Sequence, residues 1–235
     1  FKQKTAYEIL TCDWSSDVCS SDLGFPALTA PAADVAKAAD LGIASMAAIR
    51  AAVGPEVDVM CDAHSFFDVP LALQVAMRME GLQLGWYEEP VAPERTRETV
   101  EIHRSVKQKM SGGETLFGVE GFEALCRERA VDVIMPDVKH CGGLLEMSRI
   151  AAMAARYGVL VAPHNPSGPV STAAGVQMGA SIPNFRYMEL QWGETSWRGD
   201  LVSPAERFER GMIRVPDRPG FGVKLNEKLA RLHPV

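Results

Sequence analysis

The sequence has no apolar run long enough to span a bilayer, which excludes a membrane-spanning helix. Its formal net charge is −6, so it carries no basic footprint and nucleic acid is not expected as a partner. It has only five cysteines, an odd number with no regular framework and no paired-Cys zinc pattern. That usage favours free thiols in a reducing compartment, the cytoplasm. The N-terminus lacks the basic start and apolar core of a secretory signal. What remains is an ordinary globular composition, 47% hydrophobic and 23% charged, over 235 residues that suit one α/β domain or two small ones.

The informative stretch runs from Val57 to Glu114. Three short β-type apolar runs end there on carboxylates: Asp62 in VDVMCD, Glu88 in GWYEEP and Glu114 in KMSGGE. The intervals are 26 residues each, the length of one strand-helix unit in a parallel barrel. Equal steps bring acids from neighbouring strands to the end of the sheet where active sites of such barrels sit. A single acid at a strand end is usually a solvated charge or a helix cap. Three in register would repel one another without a cation, and all-oxygen ligands suit a hard divalent ion, magnesium.

Two later strand ends carry chemistry. Asp137 closes VIMPD and His164 closes LVAPH, 27 residues later, so successive strands set them side by side. An Asp bonded to one imidazole nitrogen orients the ring and leaves the other nitrogen as a general base. His64 lies two residues beyond Asp62, on the same side if the chain stays extended. It is read as the acid that protonates a departing hydroxyl, with a positioning role on Asp62 as the alternative. Glu189, in YMELQ, is placed to donate a hydrogen bond to a developing enolate oxygen if its pKa is raised. Glu89 points the other way from Glu88 by alternation and reads as structural or as a support behind the metal ligands. Cys61 is given no role. Trp192, Trp197 and Arg198 have two readings, lining the mouth or ordinary loop packing.

Along the chain, helices are expected over Ala33–Val53, Pro70–Glu80, Glu94–Lys107, Val119–Arg129, Leu144–Tyr157 and around Ser171–Met178. Further strands are expected at Gly24–Ala30, Val131–Asp137, Val159–His164 and Arg186–Gln191. The first 23 residues have neither periodicity. Within them, KQKTAYEI and DWSSDVCSSDL resemble one translated frame of an adapter used in short-read DNA sequencing, so residues 1–23 are read as a non-native tail. The expected organisation is therefore a tail at 1–23, a partial barrel at 24–200, and a C-terminal segment at 201–235. The fold class is α/β, a TIM-type (β/α) barrel truncated at its N-terminus, with about seven of the eight strands.

From Gly24 onward the chain resembles the barrel domain of the enolase superfamily, in its mandelate racemase branch. The resemblance is carried by Asp62, Glu88-Glu89-Pro90, Gly113-Glu114, Pro136-Asp137 through Cys141-Gly142-Gly143, Pro163-His164-Asn165 and Glu189. Asp62-Ala63-His64 with Pro166-Ser167-Gly168-Pro169 looks most like the galactonate dehydratase type. The resemblance implies magnesium on Asp62, Glu88 and Glu114, base catalysis by His164 with Asp137, and a homo-oligomer at full length. The implied reaction is dehydration of a sugar acid, an aldonate or aldarate, to a 2-keto-3-deoxy acid.

Three departures accompany it. Thr29 stands where racemases of the branch carry a catalytic lysine, which argues for one-base dehydration. The α+β capping domain and the first barrel strand are expected to be missing from this chain, and Gly211–Asn226 would pack on that cap. This chain is accordingly expected to be a fragment of weak activity. A racemase or epimerase of a 2-hydroxy acid, and a catalytically inactive metal-binding barrel, remain as alternatives.

Overall fold

The computed structural model describes residues 10–13, 32–191, 195–209 and 211–233. Strands and helices alternate: β1 (Leu10–Asp13), α1 (Ala32–Val53), β2 (Val59–Asp62), α2 (Val69–Met79), β3 (Tyr87–Glu88), α3 (Thr96–Ser105), β4 (Met110–Gly112), α4 (Gly118–Arg127), β5 (Val133–Ile134), α5 (Gly143–Arg156), β6 (Leu160–Val161) and α6 (Pro169–Ser181). Short pairs follow, β7 (Val202–Ser203) with β10 (Lys224–Leu225) and β8 (Phe208–Glu209) with β9 (Met212–Ile213), and α7 (Glu227–Leu232) closes the described chain. Helices α1 to α5 lie within one or two residues of their expected bounds, the scatter usual at helix ends, while α6 runs three residues further than expected and α7 was not expected.

The chain divides into two compact units, residues 1–113 with 123–133, and residues 114–122 with 134–235. In the first, β1, β2, β3 and β4 pair in order and in parallel. All four residues of β2 are buried, as they must be in a sheet covered on both faces. Helix α2 shows why the alternation holds. Asp68 caps it by accepting the Leu71 N–H at 2.9 Å, Pro70 sits in its first turn, and Ala72, Val75, Ala76 and Met79 form its buried stripe.

In the second unit the Ala162 N–H donates to the Ile134 carbonyl at 3.0 Å, placing β6 beside β5. Helix α6 is buried almost all round, with Thr172, Ala173, Ala174, Gly175 and Val176 inside. A Cβ on Gly175 would stand 2.6 Å from Met188 Sδ, so glycine permits the close approach of α6 to the run at 184–189.

Two expectations change here. The strand expected at Gly24–Ala30 lies outside the described residues, whereas Leu10–Asp13, set aside on sequence, forms β1 against β2. A parallel ladder uses only main-chain N–H and C=O groups, so an extended segment of almost any sequence can occupy that edge. The strand expected at Arg186–Gln191 is reduced to one bridge between Val161 and Phe185. The chain still runs along β6, since the Arg186 N–H donates to the Val161 carbonyl at 2.8 Å and the Glu189 N–H to Pro163 at 3.0 Å.

Candidate active site

Asp62 and Glu88 are the last residues of β2 and β3 and are direct register partners. Both are buried, as is Glu114, two residues past β4. One carboxylate oxygen from each of Asp62, Glu88 and Glu114 lies within 4.8 Å of the others. The outer contacts of the first two acids are defined. Trp86 Nε1 donates to Glu88 Oε2 at 2.9 Å, while the His64 N–H donates to Asp62 Oδ1 at 2.8 Å and its Nδ1 lies 3.0 Å from Oδ2.

His64 thus sits beside Asp62, but not by strand alternation. His64 and Ser65 have φ of +49° and +63°, so the chain leaves the extended conformation immediately after Ala63. The two bonds to the Asp62 carboxylate hold the turn together. Glu89 also has positive φ, +32°, and turns inward to accept the Gly113 N–H at 2.6 Å and the Ser65 hydroxyl at 3.2 Å. Burial pushes its carboxyl pKa up; the Gly113 N–H opposes this and the Asp62 charge adds to it. Its structural reading agrees with these contacts.

In the second unit, His164 Nδ1 lies 2.9 Å from Asp137 Oδ2. The other oxygen of Asp137 accepts the Lys139 N–H at 2.7 Å, and Lys139 Nζ stands 3.4 Å from Oδ2. Burial would raise the Asp137 pKa, but the bonds from His164 and Lys139 outweigh it and hold it below the usual value. Burial would likewise lower the His164 pKa. The Asp137 bond and the charges of Glu189 and Glu114 prevail, and the imidazole is more basic than usual. Its Nε2 stands 3.2 Å from Glu114 Oε2 and 3.8 Å from Glu189 Oε2, so the ring faces both acids.

Other side chains resolve or surprise. Arg198 is buried in a two-bond fork with Glu206, at 2.9 and 3.1 Å, which fits loop packing. Trp197 stacks on His233, Cys61 is fully buried, and Trp192 lies outside the described residues. Sequence reasoning gave no role to Trp86 or Lys139, and none to Asn165 although it stood in the Pro163-His164-Asn165 motif. For Trp86 the signal was available, because it stands two residues before Glu88 on the same face of an extended run. Asn165 donates its N–H to Glu189 Oε2 at 3.1 Å, a contact across 24 residues that periodicity cannot reveal.

Residues 23–229 match the family model described as "Enolase C-terminal domain-like". The D-xylonate dehydratase of Haloferax volcanii is 33% identical over 188 residues, covering 80% of this chain and 46% of that protein. The D-galactarolactone cycloisomerase of Agrobacterium fabrum is 31% identical over 189 residues, covering 77% and 50%. A solved structure, the mandelate racemase/muconate lactonizing enzyme-like protein of Rubrobacter xylanophilus, superposes with a TM-score of 0.80 at 37% identity, covering 85% of this chain and 51% of that one. The chain spans about half the length of the curated relatives it matches.

Proposed function

This chain belongs to the enolase C-terminal domain-like family, with its TIM-barrel-like α/β fold and parallel sheet, and on that footing we propose that its protein dehydrates a sugar acid, an aldonate or aldarate, to a 2-keto-3-deoxy acid. The observation that carries this reading is the setting of His164. One ring nitrogen is held by Asp137 at 2.9 Å and the other faces Glu114, itself grouped with Asp62 and Glu88. A relative named for dehydration of D-xylonate supports the reaction class.

The donor set fits a hard divalent cation, since three buried carboxylates offer oxygen alone. Asp62, Glu88 and Glu114 would hold magnesium, which supplies when bound a Lewis acid for the substrate carboxylate. The chain's own residues do the rest. Asp137 fixes the ring of His164 with its proton on Nδ1, and Nε2 takes the proton from carbon 2. Glu189, 3.8 Å from His164 Nε2, stands where its acid form would donate toward the oxygen on which charge grows. With His64 Nδ1 engaged by Asp62, that ring delivers its proton through Nε2 to the hydroxyl leaving carbon 3. Loss of water leaves an enol, which tautomerises to the 2-keto product.

The test is a panel of aldonic and aldaric acids with magnesium in deuterated buffer, followed for 2-keto-3-deoxy product and for exchange at carbon 2. Keto acid from one or two substrates, lost in His164→Ala, is expected. The cycloisomerase relative favours a second reading, proton transfer with the hydroxyl retained. Exchange at carbon 2 with no keto acid from any substrate would replace dehydration by that reading.

A further inference from the structure

We propose that Thr172, on α6, is the junction of a relay of positioning residues that couples buried Arg198 through Asn165 to Glu189, and so sets the carboxylate facing His164. The inference rests on the dehydration reading for its consequence, though its geometry stands alone. Thr172 is completely buried, and its hydroxyl uses its full capacity of two acceptances and one donation. Asn165 Nδ2 donates to it at 3.0 Å and Arg198 Nη2 at 2.9 Å, while its own hydrogen is directed to the Gly168 carbonyl at 3.4 Å.

At one end the relay is anchored. Arg198 is held by the Glu206 fork and by donation from Nη1 to the Ser167 carbonyl at 2.7 Å, so its Nη2 is fixed in space. At the other end Asn165 grips Glu189 twice. Its N–H donates to Glu189 Oε2 at 3.1 Å and its Nδ2 to the Glu189 carbonyl at 3.3 Å. The carbonyl can only accept, which fixes the amide with Nδ2 toward it and leaves Asn165 Oδ1 buried without a partner among the described residues.

That unpartnered oxygen makes the arrangement conditional. The Thr172 hydroxyl supplies one of the two acceptors that hold Nδ2 and the Glu189 carbonyl the other. Without the hydroxyl the amide keeps one bond of two, and its hold on Glu189 weakens. Glu189 stands 3.8 Å from His164 Nε2, and a displacement of about 1 Å at a reacting group can cost on the order of a hundredfold in rate.

The test compares Thr172→Val, which keeps shape and removes the hydroxyl, with Thr172→Ser, which restores it, both in the full chain. In the valine variant's crystal structure, Glu189 Oε2 is expected to move beyond hydrogen-bond reach of the Asn165 N–H, more than about 3.5 Å. For exchange at carbon 2, kcat should fall about tenfold or more, with KM within about twofold and the serine variant near the parent. A merely structural role lowers melting temperature and leaves kcat per folded molecule unchanged; that result, or Glu189 unmoved in the crystal, overturns the relay. A parent protein that exchanges the proton of no sugar acid sinks the dehydratase reading instead, and the crystallographic arm then decides the relay alone.

Discussion

Replacing Gly112 by alanine should damage the protein far more than the loss of a surface glycine does. A Cβ at Gly112 would stand 2.7 Å from Glu89 Cγ and 3.3 Å from Glu89 Oε1, where carbon atoms normally rest about 3.5–4.0 Å apart. Glu89 cannot yield cheaply, because its two oxygens hold the Gly113 N–H and the Ser65 hydroxyl and only 4% of the residue is exposed. If it stays, overpacking costs about 1–3 kcal/mol. If it moves, a buried partner is left unsatisfied at about the same cost. With some backbone strain at φ +157°, the sum is about 3 kcal/mol.

Gly54→Ala is the control. It has φ +73° but nothing within 4 Å of the new Cβ, so strain alone remains, about 1 kcal/mol. For a chain of this size each kcal/mol lowers the melting temperature by about 2–4 °C, giving losses of about 6–12 °C at Gly112 and 2–4 °C at Gly54. Calorimetry on both variants tests this, with Gly112→Ala repeated in a Glu89→Ala background. There its added cost should shrink to strain, a coupling of about 2 kcal/mol. Equal losses at the two glycines, or no coupling to Glu89, would refute the reasoning.

Magnesium at a hundred times its dissociation constant should stabilise the protein by about 2.7 kcal/mol. Thermal melts with and without the ion should show that gain in the parent and not in Glu88→Gln; an equal gain in both removes Glu88 from the metal site. Asp137→Asn should keep the fold but cut the exchange rate at carbon 2 by about a hundredfold or more, because an amide neither fixes the tautomer nor stabilises the imidazolium. Unchanged exchange would show that His164 needs no partner. His103 Nε2 lies 3.0 Å from Asp132 Oδ2, and that bond first, then the Arg129 carbonyl and the Asp132 charge, outweigh burial and raise its pKa above the ordinary 6.5. The sign follows: its stabilisation is complete below about 6.5 and fades as pH rises through the higher folded value. Burial would raise the Asp132 pKa, but the His103 and Met110 bonds and neighbouring positive charge hold it below 3.8, so its share is present above 3.8 and fades as pH falls through the folded value. Urea midpoints of His103→Leu should therefore lose most relative to the parent between about pH 4 and 6.5 and converge with it in alkali; a constant gap would place the loss in packing instead.

The alternation of strands and helices was legible in the sequence, as were Asp62 and Glu88 at the ends of β2 and β3; Glu114, Asp137 and His164, expected at strand ends too, lie two or three residues beyond β4, β5 and β6. Those features are local: a period of two or of 3.6 is set by backbone geometry, and a near-constant repeat counts off the strands. The resemblance to the enolase superfamily was legible for the same reason, because its motifs are short and evenly spaced, and the family match agrees with it. Apart from the His164–Asp137 pair, which the spacing of strand ends already suggested, the bonds between buried polar groups came from the packed fold. The left-handed turn at His64 and Ser65, Glu89 clasping Gly113, the burial of Arg198 against Glu206 and the meeting of Thr172 with Asn165 join groups up to 24 residues apart. A buried donor takes whichever acceptor the packed fold brings to it, and that choice has no period in the chain. Even β1 follows this rule, since the edge of β2 takes an extended segment for its main chain and not for its side chains.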